Sequence, residues 1–515
     1  MCGLLFTNNP NINKKDFLNA LSLMNHRGPD APGGYFAYEN FKLGHNRLKI
    51  LDLDNRSNQP FRSADGRYLI ILNGEIYNYQ ELAKQYNLSL RTKSDTEVLL
   101  ELYAAKGREI LNQLIGMFAF VILDTHTREI FAARDRLGVK PLYFSLTDDK
   151  IIFSSEISPI LKLKRKTDYD KIGLRQYLKL RTFFNGHTGY AGISMFPAGH
   201  YFHKGKISCF WELPFEKKLP PEDSELRDLI NSAVKYRLIA DVPIGSFLSG
   251  GLDSTIVALL SNKPHTWTVG FDDCNEFEWA RLAASRQNSV HTEVLISREE
   301  FVELTKSMVK QRREPLSVPN EVLIYKMAKE VKKENTVILC GEGADELFFG
   351  YDRIFKWAND NNWDLKEFSK RYSYGSHEDL EIVEDAISPF LHYEKAIDIV
   401  AAFFQRAHLH GLLRRLDYAT MLNAVEARSP FLDHRMIERL AGVSFDYKME
   451  DGVIKAPLKR IFKEQIPAEI INRKKIGFSV PLDSMPFPIQ GGVTSMDAWL
   501  QFNLSILNID VKDIL

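Results

Sequence analysis

Up to about residue 213 the apolar positions fall in short runs, each closed by Gly, Asn, Asp or Pro. The runs YLIILNGEIYN, MFAFVILD, EIFAARD, PLYFS and KIIFSSE have the length and β-branched or aromatic content of strands. Few helical periods interrupt them; one runs from Asp16 to Met24, with Phe17, Leu18, Leu21 and Met24 on one face. This half predicts an α+β layered domain rich in antiparallel sheet. LPFEKKLPPEDSE, from Leu213 to Glu225, concentrates proline and charge as a linker does, and a helical period follows at Leu226, Leu229, Ile230, Ala233 and Val234. Beyond it IGSFLS, HTWTVGF, HTEVLI and NTVILCG alternate with helical stretches, the pattern of a doubly wound parallel sheet, and after about residue 351 the pattern is mainly helical. The expected domains are 2–213 and 222–515.

Composition adds exclusions. Basic and acidic residues balance at 67 each, so no overall field draws the chain to nucleic acid or an anionic membrane. The longest apolar run, Met117 to Leu123, stops at Asp124, far short of the roughly 20 residues that span a bilayer. No basic flank with an apolar stretch and small-residue cleavage site opens the chain, so a cytoplasmic setting is expected. Cys2, Cys209, Cys274 and Cys340 are scattered without a CxxC pair, which reads as reduced thiols.

Two stretches carry candidate chemistry. In GSFLSGGLDSTIVALL, starting at Gly245, a buried strand ends and two glycines let the backbone approach a ligand. Ser249 and Ser254 add hydroxyls, and a helix resumes with its N-terminus toward an anion. The loop lacks the GxxxxGK[ST] of a Walker A motif; the plain alternative is a capped Gly-Gly turn. At the other end Cys2 follows Met1 directly. With Met1 removed, one residue would offer a thiol and an α-amine whose reference pKa is roughly 8, nucleophile and proton relay together; otherwise it packs as a small hydrophobe. Arg47 could hold a carboxylate, Asn73 and the Gly74 N–H could serve as neutral donors, and Asp95 could meet an ammonium group. Their plain alternatives are a surface ion pair, a type I′ hairpin turn and a helix N-cap.

Taken in order, MCG, HRGPD (His26 to Asp30), GHNRL, NGEIYN, SDTEV and RDRLGVKPLY (Arg134 to Tyr143) resemble a class II glutamine amidotransferase domain over residues 2 to 210. SGGLDS is similar to the loop of PP-loop ATP pyrophosphatases. With CGEGADELFFGY (Cys340 to Tyr351), EARSPFLDHR (Glu426 to Arg435) and RKKIGF (Arg473 to Phe478), nearly the whole chain resembles the glutamine-hydrolysing asparagine synthetase family. The resemblance implies an N-terminal Ntn-hydrolase-like αββα glutaminase domain and a C-terminal doubly wound PP-loop domain with a helical end. Cys2 would attack the glutamine side-chain amide, with Asn73 and Gly74 as oxyanion hole. Arg47, Leu48, Ile50, Glu75 and Asp95 would hold the rest of glutamine. ATP would lie on Leu248, Ser249, Gly250, Gly251, Leu252, Asp253, Ser254, Val269, Cys340 and Gly341, with Asp253 and Asp345 placing Mg2+ and pyrophosphate. Glu342 would deprotonate the attacking nitrogen and Lys455 would stabilise charge at the adenylated centre, against a surface glutamate and a solvated lysine; Lys459 and Arg460 compete with Lys455 for its role.

The implied partners are glutamine, ATP and a carboxylate acceptor, without nucleic acid or membrane, with a homodimer as the assembly considered. An internal tunnel for ammonia is implied as well. Two departures stand out: Cys340 replaces the family's usual serine, and Val318, Pro319 and Asn320 stand where Asp and Ser usually follow the EP pair. The second removes groups suited to an amino-acid acceptor's ammonium. The resemblance makes aspartate the first acceptor expected, and this departure raises a different carboxylate, such as a uronic acid of a surface polysaccharide, as the alternative. A glutaminase with a nucleotide-sensing second domain and a non-catalytic interaction protein are the other classes; intact Cys2, Asp253, Glu342 and Asp345 weigh against both.

Overall fold

The computed structural model describes residues 2–287, 289–474, 477–488 and 494–515. Its N-terminal half stacks two antiparallel six-stranded sheets. The first runs, edge to edge, Ser194–Met195, Tyr143–Thr147, Lys150–Ser154, Gly3–Thr7, Phe41–Arg47 and Ala31–Tyr38. The second runs Lys206–Cys209, His200–His203, Ile130–Arg134, Gly116–Asp124, Tyr68–Ile76 and Phe61–Arg62.

Side chains alternate along a strand with period two, and both faces of each sheet are apolar here. Leu4, Phe6 and Leu43 of the first sheet meet Leu69, Ile71, Ala119 and Val121 of the second in the middle of the stack. Leu5 faces outward, onto Phe17, Ala20, Leu21, Ile157 and Ile160 of two covering helices. Ile70, Leu72, Phe118 and Phe120 face the other way, onto Val98, Leu99 and Leu102. Helix, sheet, sheet, helix is the result. Gly44 makes one of these contacts feasible, because a Cβ there would come within 2.7 Å of the Phe17 ring. The helix expected at Asp16 to Met24 instead spans Lys14–Leu21, since Asn13 caps it by accepting from Asp16 N, and a 3-10 turn completes Ser22–Met24.

The C-terminal half is built on a parallel sheet of five strands, in the order Val290–Leu295, His265–Gly270, Ile244–Phe247, Val337–Leu339 and Glu426–Arg428. Helices pack on both faces, and a helical region follows residue 351. No helix among the described residues is long and apolar enough to cross a membrane.

One helix, Leu409–Met421, meets the N-terminal half. Arg27 is fully buried against it: Nε donates to the Cys2 carbonyl at 3.0 Å, Nη1 to Glu156 at 3.1 Å and Nη2 to Asp417 at 2.9 Å. Lys140 Nζ approaches the other Asp417 oxygen at 3.5 Å. Two steps back along the helix, Arg415 reaches Glu342 and Asn320.

Removing one member of a buried ion cluster leaves uncompensated charge. Asp417→Ala should lower unfolding stability by about 3–5 kcal/mol, whereas breaking the exposed Arg281–Glu293 pair by Arg281→Ala should change it by about 0–1 kcal/mol. Urea unfolding of the full chain checks both.

Candidate active site

Cys2 opens the central strand of the first sheet, with only 7 % of its surface exposed. Its main-chain N–H donates to Asn73 Oδ1 at 3.0 Å, and Sγ lies 4.0 Å from the Leu48 carbonyl oxygen. Burial pushes the thiol above its ordinary value, so the resting group is a thiol that needs a proton acceptor. Met1 lies outside the described residues.

Asn73 and Gly74 sit within a continuous strand opposite Ala119 and Phe118, which excludes the hairpin-turn alternative. With Oδ1 engaged, Asn73 Nδ2 is buried without a hydrogen-bond partner among the described residues. Such a donor, fixed by the sheet beside a thiol, suits a developing oxyanion. A Cβ on Gly74 would lie 2.2 Å from the Met117 carbonyl oxygen, so the adjoining strand admits only glycine there.

Arg47 is buried, contrary to the surface-pair alternative. Its Nη1 donates to the Asp54 carbonyl and Asn58 Oδ1, both at 2.9 Å, and its Nη2 to the carbonyls of Leu51 and Asp52. In this state the guanidinium ties down the segment after the strand, and a substrate carboxylate would have to replace those carbonyls. Leu48 and Ile50 belong to the apolar core that runs into the C-terminal half.

The cap of the Asp95–Lys106 helix is Ser94, which accepts from Thr96 N; this corrects the N-cap alternative for Asp95. Asp95 is thereby free to accept from Ile76 N at 2.9 Å. Burial pushes its carboxyl up to about 6. Glu75 is raised well above its ordinary value by burial and then by Asp95 and Glu426, while Arg428, 3.7 Å away, opposes the shift. Glu75 Oε2 has no hydrogen-bond partner among the described residues. Two acids that burial pushes toward the neutral form, one of them opposed further by the other, would both regain charge beside an incoming ammonium.

At the second site the Ile244–Phe247 strand runs through residues 248–251 into the Leu252–Ser261 helix. Gly250 takes φ 71° and lies against Trp279, where a Cβ would come within 2.3 Å of main chain. The loop is tied by its own serines: Gly251 N donates to Ser249 Oγ at 3.3 Å, and the Ser249 and Ser254 hydroxyls pair at 3.1 Å. Leu248, Ser249, Gly251, Leu252, Asp253, Ser254, Val269, Cys340 and Gly341 line one cavity of about 1290 Å³ with Glu342, Asp345 and Lys455. Gly341 packs so closely that a Cβ would sit 2.8 Å from Asp253 Cβ. Burial pushes the Cys340 thiol up to about 12, so it stays protonated.

Lys455 is held in a left-handed conformation, φ 55°. Its Nζ pairs with Asp253 and, at 2.5 Å, with Asp345 Oδ1; these acids raise its pKa against the cost of burial. Arg460 points away, to Asp223 and Glu450, whereas Lys459 also lines the cavity, which narrows the competition for the Lys455 role. Glu342 is paired with Arg415 and bound through its carbonyl by Ser429 Oγ. Sequence reasoning missed Glu346, pushed up to about 8 by burial and by Asp345 and Glu342, with Tyr351 donating to it at 2.7 Å. It also missed Arg415 and Asp417, which no local motif marks. In RKKIGF, residues 475 and 476 lie outside the described residues, and Arg473 pairs with Glu276 on the cavity wall at 2.5 Å. Among the described residues no group of three or more His, Cys, Asp or Glu gathers around a metal position. Two aspartates beside a phosphate loop are nevertheless the oxygen donors that suit magnesium when phosphates complete its shell.

Residues 1–211 match the family model described as a glutamine amidotransferase domain, and residues 225–494 match asparagine synthase. An asparagine synthetase (glutamine-hydrolyzing) of Bacillus subtilis is 30 % identical over 94 % of this chain and 87 % of its own length. A putative one from Methanocaldococcus jannaschii is 33 % identical over 68 % of this chain and 76 % of its own. That of Pongo abelii is 30 % identical over 89 % of this chain and 81 % of its own. With both domain models matched in succession and such relatives covering most of its length, the chain belongs to the glutamine-hydrolysing asparagine synthetase family, glutamine-dependent carbon–nitrogen ligases that use ATP.

Proposed function

We propose that the two sites act in series on one carboxylate. The observation that carries this reading is the 409–421 helix, which is tied through Asp417 and Arg27 to the Cys2 main chain and through Arg415 to Glu342. Cys2 Sγ attacks the glutamine side-chain carbonyl, its proton passing to the α-amine and then to the departing nitrogen. Asn73 Nδ2 and the Gly74 N–H hold the oxyanion, and Glu75 and Asp95 hold the substrate ammonium. Ammonia leaves, and water releases glutamate from the thioester. At the second site an acceptor carboxylate oxygen attacks the α-phosphorus of ATP and pyrophosphate departs. Bound magnesium would supply charge neutralisation to the pyrophosphate, held by Asp253 and Asp345. Lys455 stands between these acids and offers its own charge to the phosphates. Ammonia then attacks the acyl carbon, Glu342 accepts the proton, and AMP leaves. The balanced charge of the chain supports a small-molecule enzyme of the cytoplasm without nucleic acid.

The relatives' names point to aspartate, but the 318–320 segment favours the second reading. Val318 and Pro319 line the cavity. The Asn320 amide is engaged at both ends, accepting from Arg415 Nη1 at 2.9 Å and donating to the Phe478 carbonyl at 3.3 Å. Nothing on this segment offers a carboxylate to an α-ammonium group, so we assign the acceptor as a carboxylate other than free aspartate, of the sugar-acid kind.

Cys2→Ala should reduce glutamine-dependent AMP release by roughly a thousandfold or more while leaving ammonium-dependent AMP release intact; loss of both activities would refute the division of labour. Asp95 is raised to about 6, so it loses its charge as pH falls through that value. KM for glutamine should therefore rise by about tenfold per pH unit below about 6, with kcat for ammonium unaffected by this group, and Asp95→Asn should flatten the profile.

A further inference from the structure

The cavity does not end at Glu342. It continues along the 409–421 helix toward that helix's start, past Leu412 to His408, where Arg181, Lys370 and Tyr374 form its far wall. From Arg415 to His408 the helical rise is about 10 Å. The volume of about 1290 Å³ also exceeds the roughly 300–1,000 Å³ of pockets that enclose one drug-sized ligand.

The far wall is built rather than incidental. Gly411 lets the segment after the Lys171–Leu180 helix lie against the 409–421 helix; a Cβ there would meet Thr182 Oγ1 at 3.0 Å. Arg181 is thereby set beside the cavity, stacked 3.4 Å above the Tyr374 ring with Nη2 donating to the Tyr374 hydroxyl at 2.6 Å. Tyr372 is fixed by its hydroxyl to His408 Nδ1 at 2.8 Å, which orients the end of the helix that carries Lys370. Arg371 is committed to Glu367, whereas no ion pair or hydrogen bond engages the ammonium of the exposed Lys370 among the described residues. Arg353 and Asp352 also line the cavity and carry opposite charges. The far end is therefore cationic, while the phosphate loop has its own cations in Lys455 and Lys459.

ATP accounts for the loop end, and the attacked carboxyl belongs at Glu342. Free aspartate separates its two carboxylates by only Cα and Cβ, too little to reach from Glu342 to Arg181 and Lys370. Tyr351, His408 and Asn320 line the cavity together with Phe404 and Leu412, a mixed polar and apolar wall that suits a polyhydroxylated ring.

Resting on the adenylation reading above, we propose that the amidated carboxylate is that of a sugar acid carried on a larger anion. A second anionic group, a phosphate or a neighbouring sugar carboxylate, seats against Arg181 and Lys370 while the first is adenylated beside Glu342. The far cations contribute to acceptor affinity and leave the phosphate-loop chemistry untouched.

Exchange of labelled pyrophosphate into ATP by the full chain with Mg-ATP reads adenylation directly. The acceptor probes are L-aspartate, D-glucuronate, D-glucuronate 1-phosphate and a digalacturonate; the last two separate a phosphate from a second sugar acid. One doubly anionic sugar acid should show a KM at least about tenfold below that of free glucuronate. Lys370→Ala, and independently Arg181→Asn, which keeps a residue tolerant of the left-handed backbone at that position (φ 57°), should erase that advantage while KM for ATP stays put. Equal use of free glucuronate, or an advantage that survives both substitutions, overturns the inference. Exchange with aspartate alone overturns it while leaving adenylation standing, and exchange with none of the probes overturns the adenylation reading as well.

Discussion

A guanidinium without solvent is the constraint around which this molecule is arranged. Arg27 has lost its hydration entirely, and three acceptors from three parts of the chain replace it: the Cys2 carbonyl, Glu156 and Asp417. Desolvation on this scale is tolerated only when every partner stays in place. The N-terminal strand, the end of the Lys150–Ser154 strand and the 409–421 helix are therefore held to a common position. The main chain of Cys2 is positioned in part by a residue of the other half, which completes the shell around Arg27.

The same economy of charge recurs at both reaction centres, with opposite sign. Beside Cys2 two acids are buried together and both are pushed toward their neutral forms, negative charge held in reserve. At the 248–254 loop a lysine lies between two aspartates, which hold it in its charged form. The first arrangement waits for a cation from the substrate. The second carries its cation with it and can offer that charge to a polyanion.

Much of this was legible in the chain. Short β-rich runs closed by turn residues located the strands at residues 68–76, 116–124 and 130–134, and the strand-glycine-helix pattern located the 248–254 loop, because these signals are local. The Glu426–Arg428 strand was not legible: it is three residues long, two of them charged, and it is buried because Arg428 pairs with Glu426 and donates to the carbonyls of Arg237 and Ile239. Asn73-Gly74 read equally well as a turn, since only the register against Ala119 and Phe118 keeps it extended. The partners of Arg27 and Glu342 lie hundreds of residues and about seventy residues away, and no periodicity links such positions. Of the site, the individual groups were visible; their mutual support was not.

The 409–421 helix also bears on how such a chain can change. Arg415 and Asp417 serve different halves from neighbouring positions on one helix, where each residue turns the face by about 100°. A single inserted residue between them would swing one contact out of register with the other. The two halves are thus matched through a single contact: whatever C-terminal half is joined to this N-terminal one must present a carboxylate at position 417 to the buried Arg27.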